Sequence, residues 1–205
     1  MWLPILITVL VGYCLGNLNG AISMSVLQGG VDVRSKGSGN AGLTNFVRNF
    51  GTAKAAIVIL IDASKAVIAC LAGMLMLDGY GYGKEGMMLG AVAVTLGHDF
   101  PALLGFRGGK GILSGLAIAM TIDYRCGLII LGVFAIVFLL TRYVSLSSIL
   151  GAIAFAISFI VLYQDRLWVM LGGVFIGVLA VFMHRANIQR LLKGTESRMT
   201  FGKKE

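Results

Sequence analysis

A chain of 205 residues that is 58% hydrophobic and only 13% charged is no soluble domain, which would carry about twice that charge. Its net charge of +8 would point a soluble protein toward nucleic acid. Here the cations sort by loop instead, so the positive-inside rule accounts for them and no nucleic-acid partner is expected.

Apolar runs of about 15 to 25 residues recur along the chain, without the ten-residue alternation of a β-barrel. The expectation is an all-α, polytopic transmembrane bundle forming one domain over residues 1–205. Seven spans are read, at 1–27, 53–77, 86–105, 109–122, 126–141, 144–163 and 166–183. The first lacks the basic start and small-x-small stop of a secretory signal and reads as a retained helix anchored by Trp2. The fourth, "GILSGLAIAMTI", gives only about 18 Å of helix and is read as a partial or re-entrant span. A five-span alternative removes the third and fourth together.

The loops alternate between two sides. One side carries Arg34, Lys36, Arg48, Lys54, Arg107, Lys110, Arg142, Arg185, Arg190, Lys193, Arg198, Lys203 and Lys204, and the other only Lys84, Arg125 and Arg166. That bias predicts a cytoplasmic basic side, an external N-terminus and a cytoplasmic C-terminus. The outer loops "DGYGYGKE", "DYR" and "QDR" read as plain turns. Cys14, Cys70 and Cys126 show no ligand spacing and read as small apolar residues.

Four polar clusters all fall on the basic side. "VRSKGSGNAGLTNFVRNFG", residues 33–51, offers Arg34, Lys36 and Arg48, the hydroxyls of Ser35, Ser38 and Thr44, and the amides of Asn40, Asn45 and Asn49. Glycines such as Gly39 let backbone N–H groups converge on an anion, and arginine adds paired donors. A loop that merely meets anionic lipid needs the charge but not the asparagines. "GHDFPALLGFRGGKG", residues 97–111, resembles a phosphate cradle but is not a nucleotide loop. Leu104 stands where a Walker glycine belongs, and Gly111 replaces the metal-binding hydroxyl. What remains is a glycine turn opening a helix, with Arg107 and Lys110 beside it, suited to a small phosphate. The plain alternative is a membrane-edge turn with snorkelling cations. His98, next to Asp99, is a base, a phosphate donor or an interfacial histidine. "TRYVSLSSI", residues 141–149, gathers Arg142, Ser145, Ser147 and Ser148, for which helix capping is the plain reading. In "HRANIQRLLKGTESR", residues 184–198, His184, Asn187 and Arg190 share one helical face, the plain reading being an amphipathic surface tail.

Within the spans, Asp62 and Lys65 form an i, i+3 pair that either ties helices or lines a pocket. Asn17, Asn19 and Ser23 are candidates for the same interior. The Gly12/Gly16/Gly20 and Gly173/Gly177 spacings read as close helix packing. With two histidines, few acids and no Cys–His pair, the chain shows no metal-ligand set, and no metal is expected.

Taken together, "GSGNAGLTNFVRNFG", "GHDFPALLGFRGGKG", "RYVSLSSI" and "NIQRLLKGTE" make the chain similar to the acyl-phosphate-dependent glycerol-3-phosphate acyltransferases of bacteria, in order and over its whole length. It departs from that pattern at Ala66, where glycine is expected, and in "GNLNGA", where serine and proline are expected. The resemblance implies acyl transfer from acyl phosphate to sn-glycerol 3-phosphate in the bacterial cytoplasmic membrane, with no cofactor. It implies a catalytic set of Ser38, Arg48, Lys110, His184 and Asn187. Gly108, Gly109, Lys110 and Gly111 would hold the glycerol phosphate. Ser38, Asn40, Asn45 and Arg48 would lie near the donor phosphate, and His184 with Asn187 would orient or deprotonate the hydroxyl. Ser35, Lys36, Gly39, His98, Arg107, Arg142 and Ser145 complete the substrate-binding set, His98 being also a second base candidate, and Glu196 is structural. An organophosphate transporter and an anionic-lipid scaffold are the alternatives from other classes.

Overall fold

The computed structural model describes residues 1–199; Lys203 and Lys204, counted above on the basic side, lie outside the described residues. Ten α-helices are present among them: α1 (Trp2–Gly16), α2 (Gly20–Gly29), α3 (Leu43–Phe50), α4 (Ala55–Leu77), α5 (Gly83–Asp99), α6 (Ile112–Ile122), α7 (Tyr124–Thr141), α8 (Val144–Leu162), α9 (Leu167–Met183) and α10 (Arg185–Leu192). The described residues contain no strand.

Five segments are long and apolar enough to cross a membrane: Trp2–Gly29, Ala55–Tyr80, Gly83–Leu104, Tyr124–Thr141 and Val144–Leu162. The pair α9 and α10, bent by 53° at their junction, makes a sixth only if the two count as one span. The expected fourth span is the 11-residue α6, about 16 Å long at 1.5 Å per residue. A short helix survives at membrane depth only if its ends are met by protein or line a cavity. The finish of α6 is met by Lys84 Nζ, which donates to Ile122 O. Its start is tied to α4 by Ser114 Oγ, which donates to Asp62 O at 3.0 Å, and its first-turn residues Ile112 and Leu113 border the cavity described below. Lys84 therefore caps a helix, a role the reading of its loop as a plain turn did not include.

The first apolar run is likewise not one helix. The chain breaks at 17–19, where Asn19 Oδ1 accepts from Ile22 N at 2.9 Å and so caps α2. Asn19 Nδ2 donates to Ala41 O at 3.0 Å, and Asn17 Oδ1 accepts from Leu103 N at 3.0 Å. These two amides hold the break and the neighbouring loops, and Ser23 is exposed; none of the three borders the cavity described below.

The core forms where α1, α4 and α5 meet and continues through Ile118, Phe155, Phe159 and Val169 into the other helices. The glycine spacings do bring helices close. A Cβ added at Gly16 would stand 2.5 Å from Val94 O, and one at Gly177 2.7 Å from Ala152 O. At the far end of the bundle the turns converge. Arg166 pairs with Glu85 at 3.3 Å, and Tyr163 Oη donates to Asp123 at 3.3 Å. The basic loops gather at the opposite end.

Candidate active site

The loop after α2 is organised by one amide. Asn45 Nδ2 donates to Val33 O, Lys36 O and Asn40 O, each at 3.0 Å, while its Oδ1 accepts from Ser38 N at 3.0 Å. Asn45 is thus fully engaged in shaping the loop that presents Ser38 and Asn40. A side chain at Gly37 would meet Asn45 Oδ1 and Asn49 Nδ2 at 2.5 Å, and its φ of +57° also demands glycine.

Arg34 ties this loop to the next one. It grips Asp32 through Nε and Nη2 and donates through Nη1 to Leu104 O at 2.7 Å and Arg107 O at 2.8 Å. The Arg34 guanidinium holds the Asp32 carboxyl below its ordinary range.

The "FRGGKG" turn folds back on the end of α5. Gly108 N donates to Asp99 O and Gly109 N to His98 O, both at 3.1 Å. A Cβ at Gly108 would collide with His98 O, and one at Gly109 with His98 Nε2. These two glycines let the turn pass over α5, and their amides are already bonded there. The amides left for an anion are those of the first turn of α6, which follows Gly111 in a left-handed conformation at φ +68°.

Lys110 reaches out of this turn to Asn187 Oδ1. Asn187 Nδ2 donates to Glu196 Oε1 at 2.8 Å, and Arg190 Nε donates to Glu196 Oε2 at 2.6 Å. Burial, then the positive charge of Arg190, lowers Lys110 from its ordinary 10.5 to about 8. Burial raises the Glu196 carboxyl, but the hydrogen bonds from Asn187 and Arg190 outweigh it and leave the acid below its ordinary value. At the α9–α10 bend, His184 Nδ1 lies 2.7 Å from Ala180 O. A carbonyl only accepts, so Nδ1 carries the proton and Nε2 the lone pair.

These groups line one cavity of about 870 Å³. Of the expected site residues it brings together Ser38, Asn40, Asn45, Arg48 and His98 with Lys110, Gly111, Ser145, His184 and Asn187. Below this polar rim the wall is apolar, formed by Leu116 of α6, Ile130 and Phe134 of α7, Phe155 of α8 and Ile176 of α9.

The other expected residues lie elsewhere. Ser35 and Arg107 border a separate, smaller hollow with Asp32 and Arg34. Lys36 sits 5.4 Å from the Phe50 ring centre. Gly39 turns the loop at φ +69°. Arg142 ends α7 in a left-handed conformation, and its carbonyl accepts from Met199 N at 2.9 Å. Serine capping of α8 does not occur: Ser147 and Ser148 donate back to Tyr143 O and Val144 O, both at 2.8 Å. Ser145 instead lines the cavity.

Several lining residues stand outside the expected set. Asp62, Thr44, Asn49, Ser148 and Arg190 were visible as polar residues of the right segments. Glu196 lies in the wall and also braces Asn187 and Arg190, and Ser197 accepts from Arg48 Nη1 at 2.9 Å on its Oγ. Ser197 has no signal in the sequence, because an irregular tail carries it back over the cavity.

The sequence profile of the glycerol-3-phosphate acyltransferase family matches residues 6–194. Curated proteins named glycerol-3-phosphate acyltransferase are similar over almost the full length. That of Thermoanaerobacter sp. (strain X514) is 38% identical over 94% of both chains, and that of Finegoldia magna 34% identical over 97% of this chain and 98% of its own. Two crystal structures of PlsY (YgiH), an integral membrane glycerol 3-phosphate acyltransferase, share the fold at 32% identity. The glycerol 3-phosphate form covers 96% of both chains with a TM-score of 0.84. The lysophosphatidic acid form covers 96% of this chain and 95% of its own with a TM-score of 0.82.

Proposed function

This chain belongs to the glycerol-3-phosphate acyltransferase family, and from that premise we propose that it moves a fatty acyl group from acyl phosphate to the 1-hydroxyl of sn-glycerol 3-phosphate. The observation that carries this reading is the division of one cavity into a cationic, amide-rich rim and an apolar shaft between α6, α7, α8 and α9. A phosphate at the rim and an acyl chain in the shaft bring the mixed anhydride's carbonyl to the boundary between them.

The 1-hydroxyl oxygen forms a bond to the acyl carbon, and the bond from that carbon to the phosphate oxygen breaks. Lysophosphatidate and inorganic phosphate result. The hydroxyl proton goes to His184 Nε2, the ring nitrogen left unprotonated by the bond to Ala180 O, or to the departing phosphate. Lys110, the first-turn amides of α6 and Arg48 hold the anionic groups. Asn187, fixed between Lys110 and Glu196, orients the acceptor. Phosphate is a good leaving group, so orientation of two bound reactants supplies much of the rate. No protein nucleophile is needed.

On the same reading α6 is a short seventh crossing. Its C-terminus meets Lys84 at the end of the bundle where Arg166 and Glu85 pair, and its N-terminus opens at the basic end. The positive-inside rule then puts the basic end and the cavity rim in the cytoplasm and the N-terminus outside.

The test is purified protein in detergent given acyl phosphate and labelled glycerol 3-phosphate without CoA or metal. Labelled lysophosphatidate is the expected product. Product formed only from acyl-CoA or acyl carrier protein would remove the donor assignment, and flux of glycerol 3-phosphate across liposomes without product would favour a transporter.

A further inference from the structure

Beneath the rim lies a charged pair that the proposed reaction does not use. Asp62 and Lys65 of α4 are both buried, 2.8 Å apart. Asp62 Oδ1 also accepts from Gly20 N at 3.2 Å, and Lys65 Nζ donates to Leu18 O, so the pair closes the break between α1 and α2. One contact is left over. Lys65 Nζ stands 2.8 Å from His98 Nδ1.

The direction of that bond is set by counting protons. Lys65 Nζ has three close neighbours, Asp62 Oδ1, Leu18 O and His98 Nδ1, with Gly16 O farther away at 3.4 Å. An ammonium has three protons and no lone pair. The carboxylate and the carbonyl take two, so the third goes to Nδ1. His98 is then a neutral imidazole with its proton on Nε2. Among the described residues no acceptor is bonded to Nε2, although the ring is 5% exposed and lines the cavity against Gly109. A neutral donor held in place beside the turn that carries Lys110 lacks only its acceptor.

We propose that His98 is a substrate-contacting hydrogen-bond donor, giving its Nε2–H to the phosphate of glycerol 3-phosphate, and that Lys65 and Asp62 are positioning residues that fix its tautomer. Of the roles considered for His98, the assignment selects the phosphate donor, names the atom and tautomer that serve it, and excludes the base. The two histidines of the chain become complementary: His184 offers a lone pair at Nε2 and His98 a proton. The inference rests on the reading of the cavity as a glycerol 3-phosphate site.

The chain has only two histidines, so the full-length protein labelled with ¹⁵N-histidine gives two resolvable rings in detergent, assigned with His184→Gln. The expected spectrum has His98 protonated at Nε2 and bare at Nδ1, with His184 the reverse. Adding glycerol 3-phosphate alone, without any acyl donor, should move the His98 Nε2–H resonance. In turnover, His98→Gln keeps a donor near the Nε2 position and should stay within about tenfold of the parent KM. His98→Asn puts its amide at the Nδ1 position and should raise KM for glycerol 3-phosphate about ten- to hundredfold, the size of one hydrogen bond to a charged group. Lys65→Met strands a buried carboxylate, so the double variant Asp62→Asn/Lys65→Met is measured as well; its folded fraction should show mixed His98 tautomers. A proton on His98 Nδ1 in the parent, equal effects of Gln and Asn, or a His98 resonance unmoved while that of His184 shifts would each overturn the assignment. If neither histidine responds to glycerol 3-phosphate, the failure belongs to the site reading instead.

Discussion

Helices α1, α4 and α5 lie backbone to backbone, whereas α6 to α9, although α8 and α9 meet closely at Gly177, enclose a cavity between them, and glycine marks both regions. In the first, a Cβ at Gly90 would collide with Ala69 O, and one at Gly73 with Gly86 O. In the second, Gly115 has nothing within 4 Å of its missing Cβ, and the nearest atom to that of Gly151 is Ile130 Cγ2 at 3.7 Å. Small residues draw membrane helices together because lipid offers no hydrophobic drive for association. The same residue also leaves open space in the cavity wall. Variants in the packed half should cost the protein its fold, and variants in the hollow half should cost it chemistry.

Gly90→Leu is the harshest probe of that division. A leucine there has no space on the α4–α5 seam, where even one methyl overlaps a carbonyl, so overpacking should exceed the usual ~1–3 kcal/mol. No folded protein should be recovered by size-exclusion chromatography. A monodisperse Gly90→Leu variant with normal thermal unfolding would dissolve the contrast.

His184→Gln probes the hollow half at its rim. Loss of a positioned base should lower kcat by about 10²- to 10⁴-fold while thermal unfolding stays within a few degrees. Near-parent kcat would leave proton transfer to the departing phosphate alone.

Much of this division was legible in the sequence. Apolar runs marked the helices because lipid demands them. The polar clusters at 33–51, 97–111, 141–149 and 184–198 stood out because polar residues are rare in such a chain. What stayed hidden depends on pairs far apart in sequence. Asn17 and Asn19 interrupt an apolar run that reads as one helix, and only Ala41 and Leu103 explain why the chain breaks there. Gly108 and Gly109 read as amide donors, yet the crossing over His98 and Asp99 engages both. Lys84 caps a helix 38 residues away and Arg48 meets Ser197 149 residues away. No periodicity announces such contacts.

Gly151→Leu tests the cavity as a measure of acyl length. The new side chain would enter the open space toward Ile130 in the shaft. Long acyl phosphates should lose affinity by about fourfold for each CH₂ that no longer fits, at ~0.8 kcal/mol per group, and short ones should react as before. Uniform loss across chain lengths would mean that the acyl chain lies elsewhere.

The smallest effect expected is a pH dependence at Lys110. Burial and Arg190 hold its amine at about 8, with Glu196 opposing them. Phosphate binding needs the ammonium, and a phosphate monoester is a dianion above about pH 6. KM for glycerol 3-phosphate should therefore be lowest between about pH 6 and 8 and climb several-fold above that. Lys110→Arg keeps its charge and should flatten the alkaline climb. Glu196→Gln removes the opposing carboxylate and should move the climb to lower pH. Stability should run the other way. Between about 8 and the ordinary 10.5 the unfolded chain binds a proton at this lysine that the folded chain has released, so folding gains as pH rises through that window. Binding that weakens while the thermal midpoint holds or rises would locate the effect in the cavity. A KM that stays flat to pH 9 would remove the Lys110 ammonium from phosphate binding, and a KM that rises only as the midpoint falls would tie the alkaline limb to loss of the fold and not to Lys110.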